Sequence, residues 1–110
     1  MADQVLAASV KMVQKQITID TIKEAVCGYY GLDTSRLLER TRKREVVVAR
    51  QMSMYLAKKY TSLSLAGIGD VLGKKDHATV LHACKTITEQ IGVDKKLRSD
   101  LEEIEQRIQG

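Results

Sequence analysis

The 110-residue chain contains no proline, phenylalanine or tryptophan, and only two cysteines and seven glycines. With so few turn-forming residues, it is unsuited to a β-sandwich or barrel, which needs many short strands joined by turns. Hydrophobic residues make up 44 % of the chain, which is too many for an intrinsically disordered protein. No apolar run is long enough to span a membrane. These absences favour one all-α domain in a reducing compartment, with a core of Leu, Ile and Val.

The cysteines and histidines do not form a recognisable catalytic or metal site. Cys27 and Cys84 lie far apart without CxxC spacing, so we expect two buried free thiols. The spacing of His77, His82 and Cys84 does not place three ligands on one helical face, so no metal site is predicted. His82 is expected to be a partly buried structural residue. No nucleophile–base pair or paired carboxylates occur at a recognisable spacing, so no enzyme activity is predicted.

The positive charge of the chain is concentrated in one segment. The formal net charge is +4, yet residues 36–60 contain eight basic and only two acidic side chains. The densest part is the basic loop, residues 40–44, with the sequence Arg-Thr-Arg-Lys-Arg. A charge run is usually a solvated helix face, but clustering this tight favours binding to a polyanion.

The first segment has a helical pattern of apolar residues. Leu6, Val10, Val13 and Ile17 recur at four- and three-residue spacing, which predicts an amphipathic helix over residues 3–15. Such a helix can pack on its own domain or on a neighbouring one. It can also lie on a membrane or on a partner protein, so an interaction module remains an alternative hypothesis.

Two further helices follow the first segment. One begins near residues 18–21, with Asp20 as its predicted cap, and ends at Gly31. A short capped turn then carries Leu37 and Leu38. Residues 45–60 contain many helix-forming residues and are predicted to form the next helix.

Residues 64–91 show the pattern of two helices joined by a tight turn. Ser64 can cap a two-turn helix, Gly73 can end it, and Asp76 can cap a longer helix. A short glycine-containing turn between two helices is the plan of a helix-turn-helix motif. A last helix over residues 94–108 is predicted to cover the domain.

The start of the second helix of this motif carries side chains suited to a major groove. Asp76 can accept from a cytosine amino group, and His77 can donate to a base or phosphate. Ala78 can contact a thymine methyl group, and Thr79 can bond a phosphate or a base. Lys74–Lys75 precede the helix, where they can hold the DNA backbone.

The basic loop has a predicted role beside the motif. An arginine-rich segment next to a helix-turn-helix can enter the adjacent minor groove, and Arg42 is central in the loop. On the helix that follows, Arg50, Gln51 and Lys58 are predicted to contact the DNA backbone.

These residues carry a resemblance to a known family. Residues 68–87 read IGDVLGKKDHATVLHACKTI and closely resemble the C-terminal DNA-binding domain of the bacterial replication initiator DnaA. The resemblance covers roughly residues 17–108. Upstream it rests on the segments Ile19–Ile22, Tyr29–Gly31, the basic loop, Ala49–Met52 and Tyr55–Lys58.

The resemblance implies an all-α, Trp-repressor-like helix-turn-helix domain over residues 17–110, with a basic loop and flanking helices. It implies binding as a monomer to asymmetric double-stranded sites, DnaA boxes, at a bacterial replication origin in the cytoplasm. Residues 1–16 resemble a connector helix from an ATPase domain, near which acidic phospholipids regulate such proteins. This sequence has no GxxxxGK[ST] phosphate loop, so ATP binding is expected only in that other domain and no cofactor is expected here.

The resemblance also assigns individual residues, with three departures from the usual family residues. Ala78 stands where many members have Thr or Ser, Ala66 where Pro is frequent, and Lys74 where Gly is frequent. These departures bear on base preference. The implied base contacts are Arg42, Ala66, Asp76, His77, Ala78 and Leu81, and the implied phosphate contacts are Arg40, Arg44, Arg50, Gln51, Lys58, Thr79 and Lys85.

A stand-alone helix-turn-helix transcription regulator is the main alternative. Such regulators usually bind palindromic sites as dimers. The number of chains on one site therefore separates the two hypotheses.

Overall fold

The computed structural model describes residues 17–73 and 76–109, and these fold into α-helices without any strand. The all-α prediction is confirmed. The helix predicted over residues 3–15 lies outside the described residues. None of the helices described is long and apolar enough to cross a membrane. In chain order the elements are α1 Ile19–Tyr30, a 3₁₀ turn Thr34–Leu38, α2 Arg44–Tyr60, α3 Leu65–Val71, α4 His77–Ile91 and α5 Lys95–Gln109.

The ends of α1 show one error in the sequence prediction. The cap is Thr18, whose Oγ1 accepts a hydrogen bond from the backbone N–H of Thr21 at 3.2 Å. Asp20 lies inside the first turn, where its negative charge interacts favourably with the helix dipole. Its side chain does not cap the helix. The predicted end is confirmed, because Gly31 has a φ of 72° and its N–H reaches the carbonyl of Cys27.

Helix α2 lies at the centre of the domain and packs against α1, the 3₁₀ turn, α3 and α4. Ala49, Met52 and Leu56 are fully buried along it. The buried hydroxyl of Ser53 donates to the carbonyl of Ala49 at 2.8 Å, so its polar group is satisfied. The helix predicted over residues 45–60 is confirmed.

Helix α5 covers one side of the domain and packs against α1 and α4. Its residues Ile104 and Ile108 are fully buried. Asp100, also on α5, is only 5 % exposed, and its carboxylate accepts hydrogen bonds from two tyrosines of α1. The distances are 2.6 Å to the Tyr29 hydroxyl and 3.3 Å to that of Tyr30. Helix α5 is therefore held by both apolar and polar contacts.

Both cysteines are free thiols. Cys27 is buried, as predicted, whereas Cys84 is only half-buried. Burial raises the pKa of both thiols above the usual value. The Cys84 Sγ lies 3.7 Å from the carbonyl of Met54, a contact that joins α4 to α2.

Candidate nucleic-acid interface

Helices α3 and α4 form the predicted helix-turn-helix motif. The Ser64 Oγ accepts from the N–H of Gly67 at 3.0 Å, which caps α3. Gly73 follows the helix with a φ of 102°, a backbone conformation that residues with a Cβ rarely adopt. Asp76 then caps α4, since its Oδ1 accepts from the N–H of Thr79 at 2.9 Å.

The start of α4 projects into solvent. Asp76, His77, Ala78 and Thr79 are all exposed, whereas Val80 directly after them is fully buried. The hydrogen bond from the Thr79 N–H lowers the pKa of Asp76 below its usual value. Asp76 is therefore a carboxylate at neutral pH, and beyond the cap at Oδ1 it has further lone pairs that can accept from a ligand.

The exposed face continues along α3 and α4. Leu81 is 55 % exposed, and Lys85 and Ala66 are exposed as well. His82 is also exposed, with its Nε2 3.5 Å from the Thr86 hydroxyl. The prediction of a partly buried His82 is therefore wrong. Position 82 lies two residues from the buried Val80, and this turns it to the outer side of α4.

The basic loop connects the 3₁₀ turn to α2 and is open to solvent. Arg40, Arg42, Lys43 and Arg44 are exposed, and Arg44 is the first residue of α2. Thr41 shapes the loop, because its hydroxyl accepts from the N–H of Lys43 at 3.2 Å. The loop therefore presents four cations close to one another.

One cleft of about 690 Å³ lies between the basic loop and the helix-turn-helix motif. Side chains of the loop form one part of its wall, and the end of α3 with the following turn forms another. The two parts of the predicted DNA-binding surface, far apart in sequence, are therefore neighbours in the fold. The lining residues are Leu38, Arg40, Thr41, Arg42, Val47, Arg50, Asp70, Val71 and Gly73.

Arg50, predicted to contact a phosphate, is buried. It is only 9 % exposed, and its Nε donates to the carbonyl of Leu37 at 2.8 Å. A terminal guanidinium nitrogen donates to the carbonyl of Glu39. Burial lowers the pKa of Arg50, and the charge of Glu39 opposes this. The sequence held a signal for the burial, because position 50 lies three residues before the buried Ser53 and four after the buried Val46.

The remaining predicted phosphate contacts lie at several places. Gln51 is half-buried on α2, and Lys58 is exposed near the end of the same helix. Lys58 lies near the half-buried Cys84 of α4: burial raises the pKa of that thiol, and the Lys58 charge lowers it in part. Lys74 and Lys75 lie outside the described residues.

Comparison with known proteins identifies the family. A family model described as "Bacterial dnaA protein helix-turn-helix" matches residues 19–87. The chain belongs to this family. The match includes the basic loop, α3 and most of α4, and it confirms the resemblance found in the sequence.

The DnaA relatives extend the match beyond those residues. "Chromosomal replication initiator protein DnaA" of Bacteroides fragilis is 50 % identical over 105 residues, which are 96 % of this chain and 22 % of the relative. The DnaA of Flavobacterium psychrophilum is 44 % identical over 108 residues, 98 % of this chain and 23 % of the relative. The DnaA of Chlorobaculum tepidum is 41 % identical over 95 residues, which are 86 % of this chain and 19 % of the relative. The chain thus spans about a fifth of the length of these relatives.

Proposed function

We propose that this DnaA-family domain binds double-stranded DNA sequence-specifically at DnaA boxes, as the DNA-recognition part of a replication initiator. The observation that carries the proposal is one cleft between the basic loop and the end of α3 with Gly73, which lead along the chain to the exposed start of α4. A recognition helix with a neighbouring arginine-rich arm can occupy a major groove and the adjacent minor groove together.

The start of α4 supplies the proposed major-groove contacts. The Asp76 oxygen not used by the cap accepts from a cytosine or adenine amino group, and His77 donates to a neighbouring base. Ala78 offers only a methyl contact, and Leu81 and Ala66 add apolar contact to thymine methyl groups. A carboxylate repels phosphate, so Asp76 favours an approach in which α4 faces the base edges.

The basic loop supplies the proposed minor-groove contact. Arg42 lies at the centre of the loop, exposed and on the wall of the cleft. A narrow A·T-rich minor groove has an enhanced negative potential that attracts an inserted arginine. Arg42 therefore adds sequence preference through groove shape.

Phosphate contacts are proposed to hold the domain in register on the duplex. Each cation that neutralises a phosphate adds about 0.9 to the slope of log affinity against log salt for B-DNA. Arg50 is omitted from the set because its guanidinium is buried on carbonyl groups. The proposed contacts are Arg40, Arg44, Gln51, Lys58, Lys74, Lys75, Thr79 and Lys85.

Fluorescence anisotropy on a DnaA-box duplex and on a duplex of scrambled sequence tests the proposal at several salt concentrations. Arg42→Ala should reduce the ratio of the two affinities by about tenfold. Lys58→Ala should weaken both duplexes alike and lower the salt slope by about 0.9. Arg98→Ala, an exposed arginine on α5, serves as the control and should bind both like wild type. Equal wild-type affinity for the two duplexes would contradict the proposal.

The stoichiometry of the complex tests the mode of binding. We propose one chain on one asymmetric box, which sedimentation of the protein–DNA complex measures directly. Two chains on an inverted repeat would instead support a transcription regulator.

ATP is proposed to act in another domain of the full-length initiator. Binding of residues 1–16 to acidic phospholipids stays a proposal, tested by vesicle sedimentation of Leu6→Asp.

A further inference from the structure

We propose that Arg50 is a positioning residue that holds the basic loop in its DNA-binding conformation from beneath. The proposal rests on the proposed function and adds a mechanism to it. Arg50 lies on the central helix α2, and its guanidinium donates hydrogen bonds to the chain just before the loop begins.

The acceptors of these hydrogen bonds are the backbone carbonyls of Leu37 and Glu39, just before the loop. Leu37 lies at the end of the 3₁₀ turn, where backbone carbonyls have no partner within the helix. The Nε of Arg50 donates to that carbonyl, and a terminal nitrogen donates to the carbonyl of Glu39, directly before Arg40. The planar guanidinium thus fixes the chain at two points separated by one residue.

Burial of this arginine is costly unless its hydrogen bonds are made. Removing a charged group from water carries a large penalty, and an apolar residue of similar size would fill the site without it. The fork of guanidinium N–H groups matches two carbonyls, whereas a lysine ammonium is a compact point charge. The side chain is therefore suited to orienting the backbone.

A second contact near the same point provides a matched control. Arg36 donates from its Nε to the carboxylate of Glu39 at 2.9 Å. Both side chains are substantially exposed, at 32 % and 47 %, and exposed ion pairs of this kind contribute little. Substitution of Arg36 removes one positive charge from the same segment without touching the two carbonyls.

Limited trypsin digestion without DNA tests this positioning directly, since the loop contains four trypsin sites. Arg50→Met and Arg50→Lys should both speed cleavage in the loop by about tenfold or more, because the paired hydrogen bonds from the charged guanidinium to the two carbonyls are lost. Arg36→Gln should change the rate less than about twofold. Cleavage at Lys95, outside the loop, and circular dichroism identify variants that unfold as a whole. Loop cleavage at the wild-type rate in the folded Arg50→Lys variant would overturn the proposal.

A double-mutant cycle with Arg42→Ala tests the consequence for DNA. If Arg50 acts by positioning the loop, Arg50→Lys should weaken box binding by about tenfold although the charge is kept. Most of that loss should vanish when Arg42 is already Ala. If Arg50 instead contacts phosphate, Arg50→Lys should bind almost like wild type. In that case the loss of box affinity from Arg50→Met should add to the loss from Arg42→Ala. Arg50→Met should also lower the salt slope by about 0.9. These outcomes would show that the proposal is wrong.

The two hypotheses fail in distinguishable ways. If wild type does not discriminate the box from the scrambled duplex, the proposed function is wrong. The digestion arm still decides whether Arg50 holds the loop, because it contains no DNA.

Discussion

At the scale of single residues, Asp76 at the start of α4 combines a structural contact with a proposed DNA contact. The Oδ1 of Asp76 accepts from the Thr79 N–H and caps the helix, and the proposed function uses the remaining acceptor sites of the carboxylate for a DNA base. The proposed function therefore assigns two roles to one carboxylate, and substitution by alanine should remove both.

Substitution by serine separates these functions. Asp76→Ser keeps a hydroxyl that can cap α4 and loses the second acceptor, whereas Asp76→Ala loses both. We expect both variants to lose about tenfold in discrimination between a DnaA box and its scramble. Only Asp76→Ala should also unfold at a lower temperature. Equal melting temperatures of the two variants, measured by circular dichroism, would contradict the capping role.

The single residues that the sequence predicted poorly share one cause. His82 was expected to be partly buried and is exposed, while Arg50 was expected to contact the DNA backbone and is buried against two carbonyl groups. Residue type favoured both expectations, but the orientation of each helix decided the outcome. The partners of Arg50 lie 11 and 13 residues away, across a loop whose conformation no local pattern specifies.

At the scale of elements, the turn between α3 and α4 depends on Gly73. A Cβ at its φ of 102° is strained, so Gly73→Ala should lower the free energy of unfolding by more than about 1 kcal/mol. Gly28→Ala is the matched control, because Gly28 lies inside α1 and its nearest neighbour is the flexible end of Arg107. That control should be neutral or stabilising. Urea denaturation measures both, and equal effects would argue against strain at the turn.

At the contact between α1 and α5, Tyr29 and Tyr30 donate to Asp100, and we expect this contact to make stability depend on pH in the alkaline range. A hydrogen bond to Asp100 is the main cause that raises the pKa of Tyr29, and burial is the main cause for Tyr30. A hydroxyl with a raised pKa in the folded state keeps its proton longer than in the unfolded chain. Its stabilising effect is complete below the unfolded value of about 10 and is lost as the pH rises above it.

We therefore expect the melting temperature to fall between about pH 10 and pH 12. The double variant Tyr29→Phe/Tyr30→Phe should show a shallower fall, because the ionisable hydroxyls are absent. Calorimetry at pH 8 supplies the reference for both proteins. An identical pH profile would show that these tyrosines do not carry the dependence.

At the scale of the whole molecule, the covering helix α5 contributes to the core but carries none of the proposed DNA contacts. Ile104 is fully buried on α5, the covering helix, whereas the proposed DNA contacts lie on α2, α3, α4 and the basic loop. Ile104→Ala should lower the free energy of unfolding by about 2–5 kcal/mol. Well below its melting temperature it should bind a DnaA box like wild type. A loss of affinity in the fully folded variant would show that α5 shapes the interface.

The sequence by itself determined the all-α class, all five helices described, the end of α1 and the helix-turn-helix motif with its caps. It also located the positive charge in residues 36–60 and identified the DnaA family. The helices and their ends depend on residues within about four positions of one another, so periodicity, caps and glycines reveal them. The first turn of α1 was less clear, because Thr18 and Asp20 are both good capping residues and the backbone decides between them.

Only the tertiary structure decided which of these features meet. The packing of α2 against the 3₁₀ turn buries Arg50 beneath the basic loop, and the packing of α3 on α2 sets the motif beside that loop across one cleft. Such proximity arises from contacts between residues distant in the chain. Sequence patterns that repeat every three or four residues can place Arg50 on the buried face of α2, but they do not show which distant segment that face meets.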